Sequence, residues 1–148
     1  MPEINFIEEK AKFRFRMNLE IRWSDMDEMK HVNNAVYLTY LEQARILFFH
    51  DVLKIDWEQD GFILANANID FIQPMVYPNA SFIYMRTSRI GTKNFESRYL
   101  ITSMVNGNEG LMAAATTIQV MFDYSRGKSI AVPEIFKQRL IEYEIVKP

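Results

Sequence analysis

Residues able to do chemistry concentrate in one segment of the first third of the chain. Two carboxylates, Asp25 and Asp27, precede His31, and the neighbouring asparagines Asn33 and Asn34 follow. An apolar run with helical spacing begins directly after these asparagines, so the polar residues lead into the N-terminus of a helix. The segment therefore joins an acidic loop to a helix start.

This combination is suited to polarising and attacking a carbonyl group. A helix N-terminus offers free N–H donors and a partial positive charge, and such donors stabilise a developing oxyanion by on the order of 3–4 kcal/mol each. A carboxylate six or seven residues earlier, such as Asp27, can fold back beside the donors as a general base or as a nucleophile. Asp25 is the alternative base, and His31 either assists the reaction or bonds to the loop backbone.

Other chemistries are excluded by composition. The chain has no cysteine, which excludes disulfides, thiolate metal sites and cysteine nucleophiles. Its two histidines are too few for a His-only metal site. The net charge of −2 argues against nucleic acid, and the sequence has neither a Gly-x-Ser-x-Gly elbow nor a glycine-rich nucleotide motif. We therefore expect no metal and no cofactor.

The strands and helices that must position this segment are predicted from the spacing of apolar and polar residues along the chain. Residues 12–23 alternate between apolar and polar side chains, which predicts a half-buried strand that includes Trp23. Residues 34–52 have helical spacing and few charges, so the helix should be covered on most sides, with Asn33 or Asn34 as its N-cap. After an acidic turn at 56–61, strands are predicted near 62–73, 80–90, 94–106 and 110–123, and a final helix near 134–143.

The 148 residues predict one domain, 1–148. Strands joined by hairpins form an antiparallel sheet, and the last three should form a meander around the Asn106–Gly107 turn. One long apolar helix is covered most economically by a curled sheet, which gives an α+β domain with five antiparallel strands wrapped around the central helix. Its two edge strands stay open to a partner sheet.

The expected location is the cytoplasm. Residues 1–10 are acidic and lack the basic and apolar regions of a signal peptide. The longest apolar run, Leu111–Ala115, is far shorter than the roughly 20 residues that span a membrane, so no membrane span is predicted.

The segment from Asp27 to Arg45 resembles the hotdog-fold acyl-CoA thioesterases of the 4-hydroxybenzoyl-CoA thioesterase-like branch. Their pattern Thr-Asp-x-x-Gly-His-Val-Asn-Asn-x-x-Tyr precedes an apolar helix that ends in Glu-x-Ala-Arg. The resemblance continues, in the same order, to about residue 143. The residues that match this pattern are Asp27, His31, Val32, Asn33, Asn34, Tyr37, Glu42, Ala44 and Arg45.

The resemblance implies a thioesterase that hydrolyses an acyl-CoA or acyl-ACP thioester to acid and thiol. It implies that Asp27 is the base or nucleophile, and that the backbone N–H groups of Asn34 and Ala35 polarise the carbonyl. His31 stays a candidate near the thioester. Two departures from the pattern are Lys30, where the family has Gly, and Met26, where it often has Thr.

The resemblance also implies substrate-binding residues. Asn33 and Tyr37 adjoin the reacting group, and the turn Gly91, Thr92, Lys93 and Asn94 occupies the family's place for coenzyme A phosphates. A glycine turn with a lysine can present N–H groups and charge to a pyrophosphate; the alternative is a solvated hairpin turn. Coenzyme A enters as part of the substrate. The family's active site lies between subunits, so we expect a homodimer or a homotetramer.

Several alternatives stay open at this stage. A hotdog hydratase or dehydratase would use a His–carboxylate pair, and a non-catalytic hotdog protein would bind thioesters without turnover. The alternating Asn66, Asn68 and Asp70 either line the acyl cleft or face solvent. Glu42 and Arg45, three residues apart, are expected to form an ion pair on the helix.

Overall fold

A computed structural model describes residues 4–56 and 61–148. The acidic turn predicted at 56–61 falls mostly outside the described residues. The remaining predicted elements are present, together with two that the sequence did not predict. The helices are α1 (Phe6–Lys10), α2 (Val36–Ile46) and α3 (Glu134–Tyr143), and the strands are β1 (Phe15–Leu19), β2 (Phe62–Phe71), β3 (Ser81–Ile90), β4 (Asn94–Val105), β5 (Asn108–Asp123) and β6 (Lys128–Ser129).

The main sheet is antiparallel, with the strand order β1-β3-β4-β5-β2. The predicted meander is confirmed, because β3, β4 and β5 are neighbours in sequence and in space. The short β6 pairs with the end of β5. Strands β1 and β2 form the two edges, and α2 packs against one face of the sheet, so the predicted α+β architecture is confirmed.

The central helix buries one long apolar stripe against the sheet. Tyr40, Leu41 and Ala44 lie on this stripe, and Phe48 and Phe49 extend it through a π-helical segment, Leu47–Val52. The predicted helix of residues 34–52 is therefore an α-helix continued by a π-helix. Each of these five side chains is at most 3% exposed, so the stripe fixes the helix on the sheet through apolar burial.

The opposite side of α2 is open. Leu38 is 46% exposed and Ile46 is 51% exposed. The expectation that this helix is covered on most sides is therefore wrong for the single chain. The sheet covers one side of the helix. The other side has few charged residues because apolar side chains are exposed there.

The first strand is shorter than the predicted range of 12–23. Strand β1 ends at Leu19, and Trp23 lies in a 3₁₀ turn, Trp23–Asp25, with 74% of its surface exposed. The Asp25 carboxylate accepts a hydrogen bond from the Arg22 N–H at 2.9 Å. This cap fixes the turn that follows β1. The strand therefore ends at Leu19, although the apolar–polar alternation in the sequence continues to Trp23.

Helix α1 covers part of the outer sheet face, away from α2. Its Phe6 packs on a second apolar cluster that includes Tyr84 and Leu100. Its Lys10 reaches the Glu109 carboxylate, with 2.5 Å between Nζ and Oε1. A five-residue helix is too short to show a clear 3.6-residue period, which explains why the sequence did not reveal it. In the part of the chain that the structure describes, we find no helix with the length and apolar character needed to cross a membrane.

A buried carboxyl holds the C-terminal end of α3 against β3. Glu144 is 2% exposed, and its Oε1 accepts a hydrogen bond from the Thr87 N–H at 2.9 Å, next to an irregularity in the β3–β4 pairing. Burial raises the pKa of Glu144 to about 7, although the Thr87 N–H and the nearby charges of Arg86, Lys147 and Arg14 oppose the shift. Burial therefore favours the protonated, uncharged form of Glu144.

The first prediction concerns Glu144→Gln and pH. The raised pKa means that the folded protein holds this proton more tightly than the unfolded chain, so stability from the protonated group is full below about pH 4.5 and is lost as pH rises through 7. Glutamine keeps an acceptor for the Thr87 N–H without the charge. We expect the variant to exceed the parent by roughly 2 kcal/mol in free energy of unfolding at pH 8.5, and by much less at pH 5. Urea unfolding at both pH values measures this, and an equal difference at both would contradict it.

Candidate active site

Residues 26–32 form a tight hairpin loop that carries Asp27. Met26 and Val32 pair across its base. The Asp27 N–H donates to the His31 carbonyl and the Lys30 N–H donates to the Asp27 carbonyl, both at 2.9 Å. The Asp27 Oδ1 also accepts the Met29 N–H at 2.9 Å. Local hydrogen bonds therefore fix the backbone around Asp27, while its side chain stays exposed.

Lys30 completes the turn in a left-handed conformation, with φ of 62°. Glycine adopts this conformation without steric cost, whereas residues with a Cβ rarely do. The resemblance places a glycine here, and the structure shows the physical reason for that preference. Lys30 therefore adopts here a conformation that is more easily reached by glycine.

Two hydrogen bonds accepted by Asn33 shape the start of α2 and leave the Asn34 N–H without a partner among the described residues. The Asn33 carbonyl accepts the Val36 N–H at 2.9 Å, and the Asn33 Oδ1 accepts the Ala35 N–H at 2.9 Å. The Asn34 N–H has no hydrogen-bond acceptor among residues 4–56 and 61–148. The sequence predicted two free donors, Asn34 and Ala35; in this structure the Asn33 side chain already occupies the second.

The hairpin loop and the helix start border one cleft of about 310 Å³. The cleft brings together four residues predicted from the sequence: Asp27, His31, Asn34 and Tyr37. Ala35 and Asn33 adjoin it on the helix side without lining it. The remaining lining residues are Met29, Val32, Phe71, Ile72, Gln73 and Pro74.

The floor of this cleft is aromatic. Tyr37 is 2% exposed, and its ring meets Phe71 edge-to-face with 5.0 Å between the ring centroids. Burial raises the pKa of the Tyr37 hydroxyl, so this residue stays neutral at physiological pH. Phe71 is 46% exposed and belongs to the end of β2. An apolar floor beneath an acidic rim is suited to an acyl group whose reacting end is polar.

Asp25, the alternative base, has a different environment. Its carboxylate is buried and accepts hydrogen bonds from the Tyr40 hydroxyl at 2.7 Å and from the Arg22 N–H and guanidinium at 2.9–3.2 Å. Burial alone would raise its pKa, but these donors together lower the pKa below its usual value. Asp25 borders a separate cavity of about 210 Å³. A buried, fully bonded carboxylate with a lowered pKa is a poor base, and the geometry favours Asp27.

The predicted coenzyme A turn lies at the opposite end of the sheet. Asn94 pairs with Val120, which pairs with Ile63 near the start of β2, whereas Phe71 at the end of β2 borders the Asp27 cleft. Eight residues along a strand correspond to roughly 27 Å. One chain therefore does not bring Gly91, Thr92, Lys93 and Asn94 to its own cleft.

Two other predicted groupings are not brought into the cleft. Asn68 and Asp70 border a cavity of about 430 Å³ on the outer sheet face, under α1, and Asn66 is exposed. Asn66, Asn68 and Asp70 therefore do not line the Asp27 cleft of the same chain. Glu42 and Arg45 form no ion pair within the described part of the chain; the buried Arg45 donates instead to the Tyr99 hydroxyl at 3.3 Å.

Sequence reasoning missed the residues that close the cleft from the sheet side. Phe71, Ile72, Gln73 and Pro74 follow one another where β2 ends. The backbone of Val32 is tied to this segment, because its N–H donates to the Met75 carbonyl at 2.9 Å. The Gln73–Pro74 pair at the end of a predicted strand was the feature of the sequence that could have indicated this side of the cleft. Within residues 4–56 and 61–148, no three or more His, Cys, Asp or Glu side chains are grouped so that they could hold a metal ion.

The second prediction tests the backbone geometry at Lys30. A β-branched residue in the left-handed region is strained, so Lys30→Val should lower the free energy of unfolding by about 1–2 kcal/mol, and Lys30→Gly should be at least as stable as the parent. Glu28→Val is the matched control in the same exposed loop, where φ is not positive. Urea denaturation measures all three; a neutral Lys30→Val would contradict the left-handed turn.

The chain is similar to known thioesterases in sequence. A model of the Thioesterase-like superfamily matches residues 21–140. The long-chain acyl-CoA thioesterase FadM of Escherichia coli strain K12 is 28% identical over 126 residues, which cover 82% of this chain and 93% of FadM. The uncharacterized protein YsmA of Bacillus subtilis strain 168 is 24% identical over 140 residues, covering 94% of this chain and 93% of YsmA.

Solved structures extend the likeness to the whole fold. A thioesterase from Thermus thermophilus complexed with coenzyme A and Zn superposes with a TM-score of 0.78 at 30% identity, covering 88% of this chain and 94% of that one. The 4-hydroxybenzoyl-CoA thioesterase of Pseudomonas sp. strain CBS-3 has a TM-score of 0.76 at 21% identity, with coverage of 84% and 97%, and shares the fold. The chain described here therefore belongs to the thioesterase-like superfamily and has its hotdog fold.

Proposed function

We propose that this protein is a thioester hydrolase that cleaves an acyl-CoA or acyl carrier protein thioester to the free acid and the thiol. The observation that carries the proposal is the shared cleft, in which the Asp27 carboxylate and the start of α2 at Asn34 face one space. Two relatives support the substrate class: FadM is named a long-chain acyl-CoA thioesterase, and the Thermus thioesterase was crystallised with coenzyme A.

The reaction needs a nucleophile and an oxyanion donor on opposite sides of one carbonyl. In the general-base route, Asp27 takes a proton from water as the water oxygen bonds to the thioester carbon. In the nucleophilic route, the Asp27 carboxylate attacks that carbon and water then hydrolyses the resulting anhydride. The carbonyl oxygen becomes an oxyanion, which the free Asn34 N–H and the positive end of α2 stabilise. The carbon–sulfur bond then breaks. In the general-base route the leaving thiolate takes the proton that Asp27 removed from water, and in the nucleophilic route, where Asp27 is acylated and carries no proton, it takes one from solvent.

The other cleft residues have supporting roles in this proposal. Asn33 shapes the helix start by holding the Ala35 N–H, and that N–H becomes a second oxyanion donor if the Asn33 side chain turns away. Tyr37 forms the floor of the acyl site. His31 borders the same cleft, within reach of a substrate carbonyl or thiol. Coenzyme A belongs to the substrate, and the steps above require no metal and no further cofactor.

The acyl site is completed in a homodimer built through β2. This edge strand is exposed along most of its length, and its apolar residues Ile63 and Leu64 are 38% and 44% exposed. An exposed apolar edge strand is a template for pairing with another strand. The open side of α2 continues this surface through Ile46, which borders a groove with Leu64.

Antiparallel pairing of two β2 strands would also resolve the separation of the predicted site residues. In such a pair, the end of β2 at Phe71 lies beside the start of the partner's β2. The partner's Gly91–Asn94 turn then approaches the Asp27 cleft of this chain, and its lysine can meet the phosphates of coenzyme A. Each active site would thus combine the reacting groups of one subunit with the phosphate-binding turn of the other.

The third prediction tests the reaction and its base. Asp27→Asn removes the proton acceptor while keeping the Oδ1 that binds the Met29 N–H, so we expect an intact fold and a kcat at least about 100-fold lower. Glu28→Gln removes the adjacent exposed carboxylate and should change kcat less than about twofold. Thiol release from acyl-CoAs of increasing chain length measures both variants.

Each other outcome of this assay has a distinct meaning. Equal rates for the parent and Asp27→Asn would reject Asp27 as the base or nucleophile. Binding of acyl-CoA by the parent without thiol release would indicate the non-catalytic binding protein. Hydration of an enoyl-CoA, measured by the loss of its ultraviolet absorbance, would indicate the hydratase.

The fourth prediction tests the dimer. Leu64→Lys places a charge on the exposed edge strand, which disfavours strand pairing. We expect a monomer in sedimentation velocity and at least about tenfold slower thiol release, because the partner's phosphate-binding turn is lost. Ile7→Lys, at an 81% exposed position on α1, is the control and should stay dimeric and active. A fully active monomeric Leu64→Lys would show that the site is complete within one chain.

A further inference from the structure

A buried side chain links the hairpin loop to the central helix. The Asp25 carboxylate accepts the Tyr40 hydroxyl at 2.7 Å, and both residues are 3% exposed. Tyr40 lies six residues after Asn34 on α2, so this bond joins the loop to the body of the helix beyond its first turn. A hydrogen bond to a buried carboxylate is stronger than one between neutral groups, and removing one partner leaves the other unsatisfied.

The main chain of Asp25 makes a second link, to the other arm of the loop. Its carbonyl accepts the Asn33 N–H at 2.9 Å. Asp25 therefore joins the two arms. It lies two residues before Asp27 on the first arm, and its hydrogen-bond partner Asn33 precedes Asn34 on the second. One residue thus sets the spacing between the segments that carry the proposed base and the proposed oxyanion donor.

The third partner, Arg22, lies on the same arm as Asp25, so its N–H bond to the carboxylate is local and does not reach α2. Its side chain is 70% exposed, so its ion pair with Asp25 is screened by solvent. The Tyr40 hydroxyl is the donor that is both buried and attached to α2. The bond between Asp25 and Tyr40 is therefore the buried side-chain contact that ties the first arm of the loop to the body of α2.

We propose that Asp25 and Tyr40 are positioning residues for thioester hydrolysis, which hold the Asp27 loop in register with the Asn34 end of α2. Neither side chain borders the Asp27 cleft, so the pair acts through the loop. The inference rests on the proposed function. A displacement of about 1 Å between reacting groups can cost on the order of 100-fold in rate, so a small loosening of this loop should be visible in kcat.

The test removes one oxygen atom. Tyr40→Phe deletes the hydroxyl that Asp25 accepts, and Tyr84→Phe is the matched control, because Tyr84 is 4% exposed and donates to the Glu109 carboxylate at 2.7 Å on the outer sheet face. We expect kcat for acyl-CoA hydrolysis to fall about 10- to 100-fold in Tyr40→Phe with KM within about twofold, and both constants to stay within about twofold of the parent in Tyr84→Phe.

Hydrogen–deuterium exchange of residues 26–34 supplies a readout that does not depend on activity. Exchange of this segment should speed up at least about fivefold in Tyr40→Phe and stay unchanged in Tyr84→Phe. Asp25→Asn, which keeps the size of the side chain but weakens the acceptor, should repeat the Tyr40→Phe result and serves if Tyr40→Phe does not fold.

The outcomes separate the two proposals. Parent-like kcat in Tyr40→Phe, or equal losses in Tyr40→Phe and Tyr84→Phe, would overturn the positioning role. A parent protein without thiol release on any thioester would instead overturn the proposed function. If the parent is inactive, unchanged exchange of residues 26–34 in Tyr40→Phe would also refute the link between the loop and the helix. Faster exchange would show that the link exists but has only a structural role.

Discussion

The architecture depends on the burial of one stripe of α2 against the concave face of the sheet. Tyr40, Leu41 and Ala44 are almost completely buried there, and the π-helical continuation adds Phe48 and Phe49. Because this contact fixes both the axis and the rotation of the helix, it fixes where the helix begins. The free Asn34 N–H is held at the border of the sheet, where β2 ends and the hairpin loop returns.

The same contact is the basis of the proposed dimer. A helix that buries one stripe leaves its other side open, and here that side joins an exposed edge strand with apolar side chains. The proposed reacting groups and the proposed phosphate-binding turn lie at opposite ends of β2. Two-fold pairing of β2 is the arrangement that would bring these ends together. Under this proposal, thioester hydrolysis depends on dimer formation.

The two aspartates of the loop show how environment separates similar side chains. Asp25 is buried and bonded to Arg22 and Tyr40, whereas Asp27 is exposed at the cleft. Asp25 ends the 3₁₀ turn and Asp27 lies two residues later in the hairpin loop, so the two are almost equally near the helix start in sequence. Their difference arises from the direction in which each side chain points once the 3₁₀ turn and the hairpin have formed, and sequence spacing does not encode that direction.

The sequence by itself determined the order of the main elements, the antiparallel sheet and the segment that we propose carries the chemistry, because periodicity and turn residues are local properties. It also singled out Lys30, whose left-handed conformation explains the glycine of the related pattern. Only the tertiary structure decided that Trp23 is exposed and that Gly91–Asn94 lies far from Asp27. These facts depend on how distant segments pack, and packing is set by the whole core rather than by any one stretch of residues.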